Sequence, residues 1–180
     1  FVHNGELDAE FVRVESEHSA MSACIAASAT GARTYTATSS QGIALMHEML
    51  FIAAGLRLPI VMANVNRTMA PPIGIWCEYN DMMPQRDCGW IQMYVEDSQE
   101  VLDMEIQAFK IAEHKDVLLP MMIGLDAFYL SHTVEPVDVP DQAVVDEFLP
   151  PYKPEHTYLD PEKPMVVGSF APPEYIQEHR

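Results

Sequence analysis

Short runs of β-branched, aromatic and aliphatic residues recur along the first 132 residues of the chain and predict five strands. The runs occupy positions 11–14, 33–38, 58–63, 91–95 and 117–123. Positions 58–63 and 117–123 are apolar almost throughout, which is typical of strands covered on both faces in a parallel sheet. The pattern therefore indicates a sheet whose central strands are buried.

Helical patterns separate these strands. Residues 18–32 are alanine-rich and apolar on nearly every side, which predicts a helix buried on all faces. Ser39 or Ser40 is placed to cap a second helix. Asp97, with Glu100 three residues later, resembles a capping box, and the helix that follows has an apolar stripe of Val101, Met104, Ala108 and Ile111. Alternating strands and helices predict an α/β fold with a mostly parallel sheet and helices on both faces.

The composition changes at position 133. Most of the 14 prolines lie beyond it, together with an excess of acidic over basic residues, which favours extended structure over a packed core. We therefore expect an α/β domain at residues 1–132 and a proline-rich, acidic arm or interdomain connection at residues 133–180. The residues from Phe1 onward are typical of the interior of a longer chain, so we expect a fragment whose N-terminal part is missing.

The charge balance limits the possible partners. The chain has 27 Asp and Glu against 10 Lys and Arg, and its net charge is -17. This argues against nucleic acid as a partner, because few side chains could neutralise a phosphate backbone. No apolar stretch reaches the roughly 20 residues that a membrane-spanning helix requires, so we expect no membrane insertion.

The cysteines and histidines give no sign of a metal site. Cys24, Cys77 and Cys88 are odd in number and form no CxxC pair, which argues for reduced thiols in a cytoplasmic protein. An iron–sulfur cluster would need four clustered thiolates. The seven histidines also lack the spacing of metal ligands. We therefore assign no metal ligand to this chain.

Two carboxylates stand where the first predicted strand meets the first helix. Glu15 and Glu17 are placed there at the carboxyl edge of the sheet, where α/β proteins bind ligands. Burial against the apolar helix would raise the pKa of such a carboxyl, whereas the helix N-terminus would lower it. The same acids could simply complement the helix dipole, and the local pattern leaves both interpretations open.

Two further stretches are predicted to reach this edge. Residues 36–42 put small hydroxyl side chains and Gly42 between a strand and a helix, which suits close approach of a ligand or an ordinary N-cap. Arg67 follows the strand at 58–63, where a guanidinium suits a carboxylate or is an ordinary surface residue. The lack of a Gly-x-x-x-x-Gly-Lys pattern excludes a P-loop, and the lack of Gly-x-Gly-x-x-Gly disfavours a generic nucleotide-binding domain.

Several segments together resemble one enzyme family. They include VESEHSAMSA from position 14, GARTYTATSSQGIALMHEMLFIAAG from position 31, RLPIVMANVNR from position 57 and LDAFYLSHTVEPV from position 125. In this order they are similar to the α subunit of archaeal and bacterial 2-oxoacid:ferredoxin oxidoreductases, most closely the pyruvate:ferredoxin oxidoreductase branch. The resemblance spans essentially the whole chain and implies the fold of a thiamine-diphosphate pyrimidine-binding domain.

The resemblance also implies roles for single residues. Glu17 matches the family's catalytic glutamate, which holds N1′ of the cofactor's aminopyrimidine and favours the imino tautomer that the reaction uses. Arg67 matches the arginine that binds the substrate carboxylate. His18 and His132 could contact a ligand or a partner, or could be structural. The turn expected to line the cofactor pocket comprises Thr38, Ser39, Ser40 and Gln41.

Other parts of the family's machinery do not occur in these residues. A Tyr-Pro-Ile-Thr-Pro segment, whose Thr lies near the substrate in the family, is absent, as is the Gly-Asp-Gly motif with which the family's β subunit holds Mg²⁺ and the diphosphate. The resemblance therefore implies thiamine diphosphate shared with a β subunit. It also implies iron–sulfur subunits, a γ subunit, and ferredoxin that binds through the whole complex.

The implied activity is oxidative decarboxylation of pyruvate with coenzyme A to acetyl-CoA and CO₂, with reduction of ferredoxin. On this view the chain is part of an α subunit that is not active alone. The same scaffold could act on another 2-oxoacid, such as 2-oxoisovalerate. A non-catalytic assembly module of the same fold is a further alternative.

Overall fold

The computed structural model describes residues 1–168, 170–176 and 178. Four parallel strands form one sheet: β1 (Tyr35–Thr38), β2 (Val61–Asn66), β3 (Ile91–Val95) and β4 (Met121–Asp126). Their spatial order is β1-β2-β4-β3. The helices are α1 (Glu17–Ala29), α2 (Gln41–Gly55), α3 (Ser98–Ala112) and α4 (Gln142–Phe148), with a 3-10 turn at Met83–Gln85. The predicted α/β class with a parallel sheet is confirmed.

The sheet separates two apolar cores. Adjacent residues of a strand point to opposite faces, so each buried strand supplies both cores. The core shared with α1 and α2 includes Met21, Ile25, Met46, Leu50, Met62 and Met122. The core shared with α3 includes Val61, Ala63, Ala108, Ala112, Met121 and Ile123. Burial on both sides explains the continuous apolar runs of the two central strands, and it confirms helices on both faces.

The predicted strand at residues 11–14 is wrong. These residues are irregular and exposed, and the side chain of Phe11 is 73% exposed. The segment borders a cavity of about 830 Å³ that it forms with α1 and β1. In the described part of the chain, β1 pairs only with β2.

The two central strands begin later than the apolar pattern predicted. The run at 58–63 gives a strand at Val61–Asn66, and the run at 117–123 gives one at Met121–Asp126. Each run contains a proline, which has no N–H to donate to a sheet ladder. The leading apolar residues Leu58 and Ile60 are buried all the same. The strands then continue into polar residues that the pattern did not include.

Helix α1 is less covered than its composition predicted. Only Met21, Ile25 and Ser28 are buried among its residues, while Ala26 is exposed. The helix packs against α2 on one side. It also contacts β1, but most of its residues are only partly buried, so the prediction of burial on every face is not met in the described part of the chain.

Helix α3 begins as predicted and buries a slightly different stripe. The Asp97 side chain accepts a hydrogen bond from the Glu100 N–H at 2.8 Å, and the Glu100 carboxylate accepts one from the Glu96 N–H at 2.9 Å. In a capping box the second bond would come from the N–H of the N-cap residue, Asp97. Here it comes from the N–H of Glu96, one residue earlier. Ile111, predicted to be in the stripe, is 37% exposed, and Ala112 is buried in its place.

Residues beyond position 133 run back along the domain. None of the described residues in this part is buried. The Lys110 ammonium lies 3.8 Å from the centre of the Phe148 ring, the Arg33 guanidinium donates to the Pro150 carbonyl at 2.9 Å, and the Tyr158 N–H donates to the Ala29 carbonyl at 3.0 Å. Positions 169, 177, 179 and 180 of the expected arm lie outside the described residues. The division at 132/133 stays a prediction.

In the ranges that the structure describes, no helix is both long and apolar enough to cross a membrane.

Candidate functional site

A cleft of about 400 Å³ opens at the carboxyl ends of β1 and β2. These parallel strands end at Thr38 and Asn66, so the residues after each strand meet at one edge of the sheet. The N-terminus of α1 supplies another wall. The residues lining the cleft are Glu17, Ala37, Thr38, Ser39, Gln41, Gly42, Val65 and Arg67. The structure thus brings together every residue predicted for the site except Ser40, while the role of each stays a prediction.

Glu17 is the first residue of α1. The Ser16 hydroxyl caps this helix by accepting a hydrogen bond from the Ser19 N–H at 3.3 Å. The cap fixes where the helix begins. The Glu17 side chain lies beside Gly42, in the first turn of α2. The Glu17 carboxylate accepts no hydrogen bond from any residue that the structure describes. It is therefore free to bind a ligand.

Glu15 has a different environment. Its carboxylate accepts a hydrogen bond from the Ser19 hydroxyl, which lowers the pKa of Glu15. It is exposed and does not line the cleft. The local sequence pattern did not distinguish between these two acids. In the structure, Glu15 is hydrogen-bonded to Ser19 in the first turn of α1, whereas Glu17 faces the cleft.

Gly42 allows Glu17 to lie against α2. A Cβ atom at this position would lie too close to the Thr38 hydroxyl and 2.9 Å from Cγ of Glu17. Both separations are shorter than van der Waals contact permits, so a larger residue would displace one of these side chains. Gly42 therefore has a steric role in the cleft that an ordinary helix N-cap would not require.

The hydroxyl groups of Thr38 and Ser39, where β1 leads into α2, differ in their hydrogen bonds. The Thr38 hydroxyl is buried and has no hydrogen-bond partner within the described structure. Since a buried polar group without a partner is costly, it is a natural contact for a bound ligand. The Ser39 hydroxyl instead accepts a hydrogen bond from Nε of Arg67 at 3.2 Å. This bond links the turn to the opposite wall.

Arg67 brings the positive charge of the cleft. It follows the end of β2 and is half-buried. Its guanidinium forms no salt bridge with any residue in the described ranges. A guanidinium held by one neutral hydroxyl keeps most of its donors available for a carboxylate.

Ser40 does not line the cleft. It is fully buried, and its hydroxyl donates to the Thr68 carbonyl at 2.7 Å. Its backbone φ of 51° is unusual for a residue other than glycine. Ser40 occupies the N-cap position of α2 but makes no side-chain capping bond. Direct contact of Ser40 with a cofactor stays a prediction, and in this structure its contacts are internal.

Asp81 lies beneath the cleft and was missed by the sequence analysis. It is fully buried. Its carboxylate accepts hydrogen bonds from the backbone N–H groups of Ser40, Arg67 and Met82 and from the side-chain amides of Asn64 and Asn66, at 2.7–3.2 Å. It therefore connects the β1–α2 turn, the end of β2 and the long loop before β3.

A sequence pattern could have pointed to Asp81. Asn64 and Asn66 are fully buried in β2, a strand that is otherwise apolar. Buried amides need hydrogen-bond partners, so an acceptor had to come from elsewhere in the chain. The segment 64–89 lacks periodicity, which gave no indication of which of its acids would fold back beneath the sheet edge.

The three cysteines are free thiols. Burial, and then the hydrogen bond to Asp126, raise the pKa of Cys77 to about 11, and burial also raises the pKa of Cys24 and of Cys88. All three thiols therefore stay protonated near neutral pH. Within the described ranges, no group of three or more His, Cys, Asp or Glu side chains is arranged to hold a metal ion.

The two histidines considered above lie apart from the cleft lining. His18 Nε2 is 4.0 Å from a Glu48 carboxylate oxygen, and both side chains are largely exposed. His132 bonds to the Ser131 hydroxyl at 2.8 Å and stacks on Phe128 with 5.4 Å between ring centres. Contact of either ring with a ligand or a partner stays a prediction.

Comparison with known proteins agrees with this geometry. The family described as pyruvate flavodoxin/ferredoxin oxidoreductase, thiamine-diphosphate-binding, matches residues 1–180. The chain is 61% identical over 180 residues to the pyruvate synthase subunit PorA of Pyrococcus furiosus. It is 57% identical to the ketoisovalerate oxidoreductase subunit VorA of Pyrococcus horikoshii. All of this chain aligns in both cases, but only 46% and 45% of those relatives, so it spans about half their length.

A solved structure shows the same fold. The 2-oxoglutarate:ferredoxin oxidoreductase from Magnetococcus marinus, determined with 2-oxoglutarate, coenzyme A and succinyl-CoA bound, superposes with a TM-score of 0.60 and 25% identity. The match covers 68% of this chain and 22% of that one. Because the family match extends over every residue, this chain belongs to the thiamine-diphosphate-binding family of pyruvate flavodoxin/ferredoxin oxidoreductases.

Proposed function

We propose that this chain supplies the pyrimidine half of a thiamine-diphosphate site in the α subunit of a pyruvate:ferredoxin oxidoreductase. The enzyme would convert pyruvate and coenzyme A to acetyl-CoA and CO₂ and pass the electrons to ferredoxin. The observation that supports this proposal most strongly is the convergence of Glu17, Thr38 and Arg67 on one cleft at the carboxyl edge of the sheet. An acid suits the cofactor's aminopyrimidine, and a free guanidinium suits the substrate carboxylate.

The cleft fits an aminopyrimidine ring in three respects. Glu17 offers a carboxylate without a hydrogen-bond partner in the described structure, Thr38 offers a buried hydroxyl without one, and the missing Cβ of Gly42 lets these two side chains lie together at the cleft. We propose that Glu17 holds a proton at N1′ of the ring and that Thr38, Ser39 and Gln41 line the pocket. When bound, the cofactor supplies an electron sink for decarboxylation of a 2-oxoacid.

We propose that Arg67 binds the substrate carboxylate. A guanidinium can form two parallel hydrogen bonds to a carboxylate, which fixes the orientation of the 2-oxo group as well as its position. The bond from Nε to Ser39 leaves the terminal nitrogens for this purpose. The net charge of -17 makes the local cation more important, because an anionic substrate is repelled by most of the surface.

The remaining parts of the enzyme are proposed to lie in partner chains. No Gly-Asp-Gly occurs in the 180 residues, so we place the diphosphate and Mg²⁺ site in a β subunit. Iron–sulfur and γ subunits would carry the electrons to ferredoxin, since four clustered thiolates are needed for each cluster. We place the complex in the cytoplasm, where thiols stay reduced.

Pyruvate is the preferred substrate in this proposal, and 2-oxoisovalerate is the alternative. The pyruvate synthase subunits are 56–62% identical to this chain, whereas the ketoisovalerate subunits are 54–57% identical. The difference is small, and it favours pyruvate. A non-catalytic assembly module would not need a free carboxylate and a free guanidinium facing the same cleft.

The test is to purify the full-length subunit with its partners and measure coenzyme-A-dependent reduction of ferredoxin. We expect kcat/KM for pyruvate to exceed that for 2-oxoisovalerate by at least about tenfold. A pocket sized for pyruvate binds the larger acid less well, because the extra methylene-sized groups do not fit. A preference for 2-oxoisovalerate would instead select the alternative. Full activity after Glu17→Ala would show that the chain is an assembly module.

A further inference from the structure

The buried carboxylate of Asp81 has an unusual set of partners. Three of its five hydrogen bonds come from backbone N–H groups, and neither oxygen contacts a cation within the described structure. A buried charge is held only when nearly all of its acceptor sites are used. The five donors come from three separate segments of the chain, so one side chain fixes their relative positions.

One of these donors is the N–H of Ser40, at 3.0 Å from Oδ2. Ser40 has φ 51° and ψ -121°, a conformation that is strained for a residue with a side chain. Such a conformation persists only where surrounding contacts enforce it. Asp81 from below and the Thr68 carbonyl from the side are those contacts. Ser40 lies between Ser39 and Gln41, which line one wall of the cleft.

A second donor is the N–H of Arg67, at 3.2 Å from the same oxygen. Arg67 lines the opposite wall and carries the guanidinium. A single carboxylate oxygen therefore binds the backbone of both walls at once. The two side-chain amides, from Asn64 and Asn66, hold that carboxylate in place by donating at 3.1 and 3.0 Å.

We propose that Asp81 is a positioning residue for this cleft, which fixes the β1–α2 turn and the backbone of Arg67 relative to each other. It touches neither substrate nor cofactor. Its effect is to set the distance between the pyrimidine-facing wall and the carboxylate-binding guanidinium. The kinetic part of this inference rests on the proposed function, whereas its structural part does not.

Two substitutions at Asp81 test separately the hydrogen-bond acceptors of its side chain and its charge. Asp81→Ala removes every acceptor and leaves the N–H groups of Ser40 and Arg67 without partners. Asp81→Asn keeps one oxygen, which can serve these two donors. Its new amide replaces the oxygen that now accepts from the Met82 N–H and the Asn66 amide, so the Met82 N–H loses its acceptor, and a flip of the Asn66 side chain lets the new amide donate to the Asn66 oxygen, which has no partner in the described structure. The matched control is Trp90→Phe, which removes a buried hydrogen bond of 2.9 Å to the Leu50 carbonyl at the amino end of β3, far from the cleft.

The first experiment measures backbone amide exchange in the assembled complex by mass spectrometry of peptides covering residues 38–42 and 65–69. The amides of Ser40 and Arg67 should be protected in the natural protein. They should exchange at least about tenfold faster in Asp81→Ala and close to the natural rate in Asp81→Asn. Rapid exchange at both amides in the natural complex would overturn the proposal without any variant, so the test stands even if Asp81→Ala does not assemble.

The second experiment measures ferredoxin reduction with pyruvate. Asp81→Ala should raise KM for pyruvate by about tenfold or more, because a displacement of about 1 Å in a binding group is enough for such a loss. Asp81→Asn should stay within about threefold of the natural enzyme, and Trp90→Phe should lower the thermal midpoint without changing KM. An equal rise in KM for Trp90→Phe, or none for Asp81→Ala, would refute the proposal. Inactivity of the natural complex would contradict the proposed function and leave the exchange result as the separate test.

Discussion

Asp81 and Glu105 both carry carboxyl groups withdrawn from water, in two regions of opposite character. Asp81 lies under the cleft and receives five hydrogen bonds. Glu105 lies on α3 beside β1, where the Tyr35 hydroxyl is 3.5 Å from one oxygen and the other oxygen is buried without a partner. Burial raises the pKa of the Glu105 carboxyl to about 7.

The difference follows from what surrounds each group. At the cleft, strand ends and loops converge and present backbone N–H groups that a regular strand or helix would use internally. At Glu105, one helix packs across the face of a strand, whose backbone N–H groups point along the sheet and not toward the helix, so only the Tyr35 hydroxyl is within reach. We infer that the cleft region is organised for chemistry, whereas the Glu105 region affects stability alone.

The largest expected effect is that of Glu17→Ala. Loss of the carboxylate should lower kcat by about 10³-fold or more in the reconstituted complex, since a positioned acid–base group contributes about 10²–10⁴-fold. The matched control is Glu15→Ala, two residues away and bound to Ser19 outside the cleft, which should keep kcat within about twofold. An equal loss of kcat in Glu17→Ala and Glu15→Ala would show that the acid in the cleft has no special role.

Arg67→Ala should have the next largest effect. We expect KM for pyruvate to rise by about 30-fold or more because a charge-assisted hydrogen bond to the carboxylate contributes roughly 1.5–3 kcal/mol. Arg67→Lys should recover only part of the loss, because an ammonium cannot form the paired bonds. The control is Arg86→Ala, an exposed arginine near Asp87. A KM unchanged by Arg67→Ala would exclude Arg67 from substrate binding.

Gly42→Ala tests the shape of the cleft. The added Cβ would meet the Thr38 hydroxyl and the Glu17 side chain, so we expect kcat/KM to fall by about 10–100-fold. In the same helix, an added Cβ at Gly55 would meet nothing within 4 Å. Gly55→Ala should therefore leave kcat/KM unchanged and add up to about 1 kcal/mol of stability. Steady-state kinetics and thermal midpoints of both variants decide the outcome.

The smallest effect is expected at Glu105. Its pKa is raised from an ordinary 4.5 to about 7 in the folded chain, so its contribution to stability is full below pH 4.5 and is lost as the pH rises to 7. After discounting for its partial exposure, that loss is about 1–2 kcal/mol. Glu105→Gln should therefore raise the thermal midpoint at pH 8 by about 2–8 °C and leave it unchanged at pH 4.5.

The control for this last prediction is Asp103→Asn, which changes an exposed carboxyl on the same helix. It should show no such dependence on pH. Neither variant should alter kcat/KM for pyruvate. A fall in activity for Glu105→Gln would mean that the Glu105 region is coupled to the cleft, and the contrast between the two regions would fail.

Local patterns predicted the elements that depend on local interactions. The strand at 91–95 and the Asp97–Glu100 cap are as predicted, because both are set by a few neighbouring residues. The strand at 11–14 was wrong, since a strand also needs a partner that its own residues do not specify. The carboxyl end of β2 was misplaced because Asn64 and Asn66 belong to the strand only when a carboxylate from elsewhere satisfies them.

The candidate site also has a part that local sequence patterns predict and a part that they do not. Glu17, Thr38, Ser39, Gln41 and Arg67 could be named from the sequence because each follows a strand or begins a helix, and parallel strands bring such positions to one edge. The choice of Glu17 over Glu15 came from resemblance to a family. In the structure a single hydroxyl, that of Ser19, separates the two acids by engaging Glu15.

The sequence by itself determined the class of fold and the residues that follow its strands to the carboxyl edge of the sheet, because these depend on hydrophobic period and strand direction. Only the tertiary structure decided how the walls of the cleft are held apart. That arrangement depends on Asp81, a residue 14 positions beyond Arg67, which folds back beneath the strand ends. Hydrogen bonds between distant segments leave no periodic trace in a sequence, so three dimensions are needed to see them.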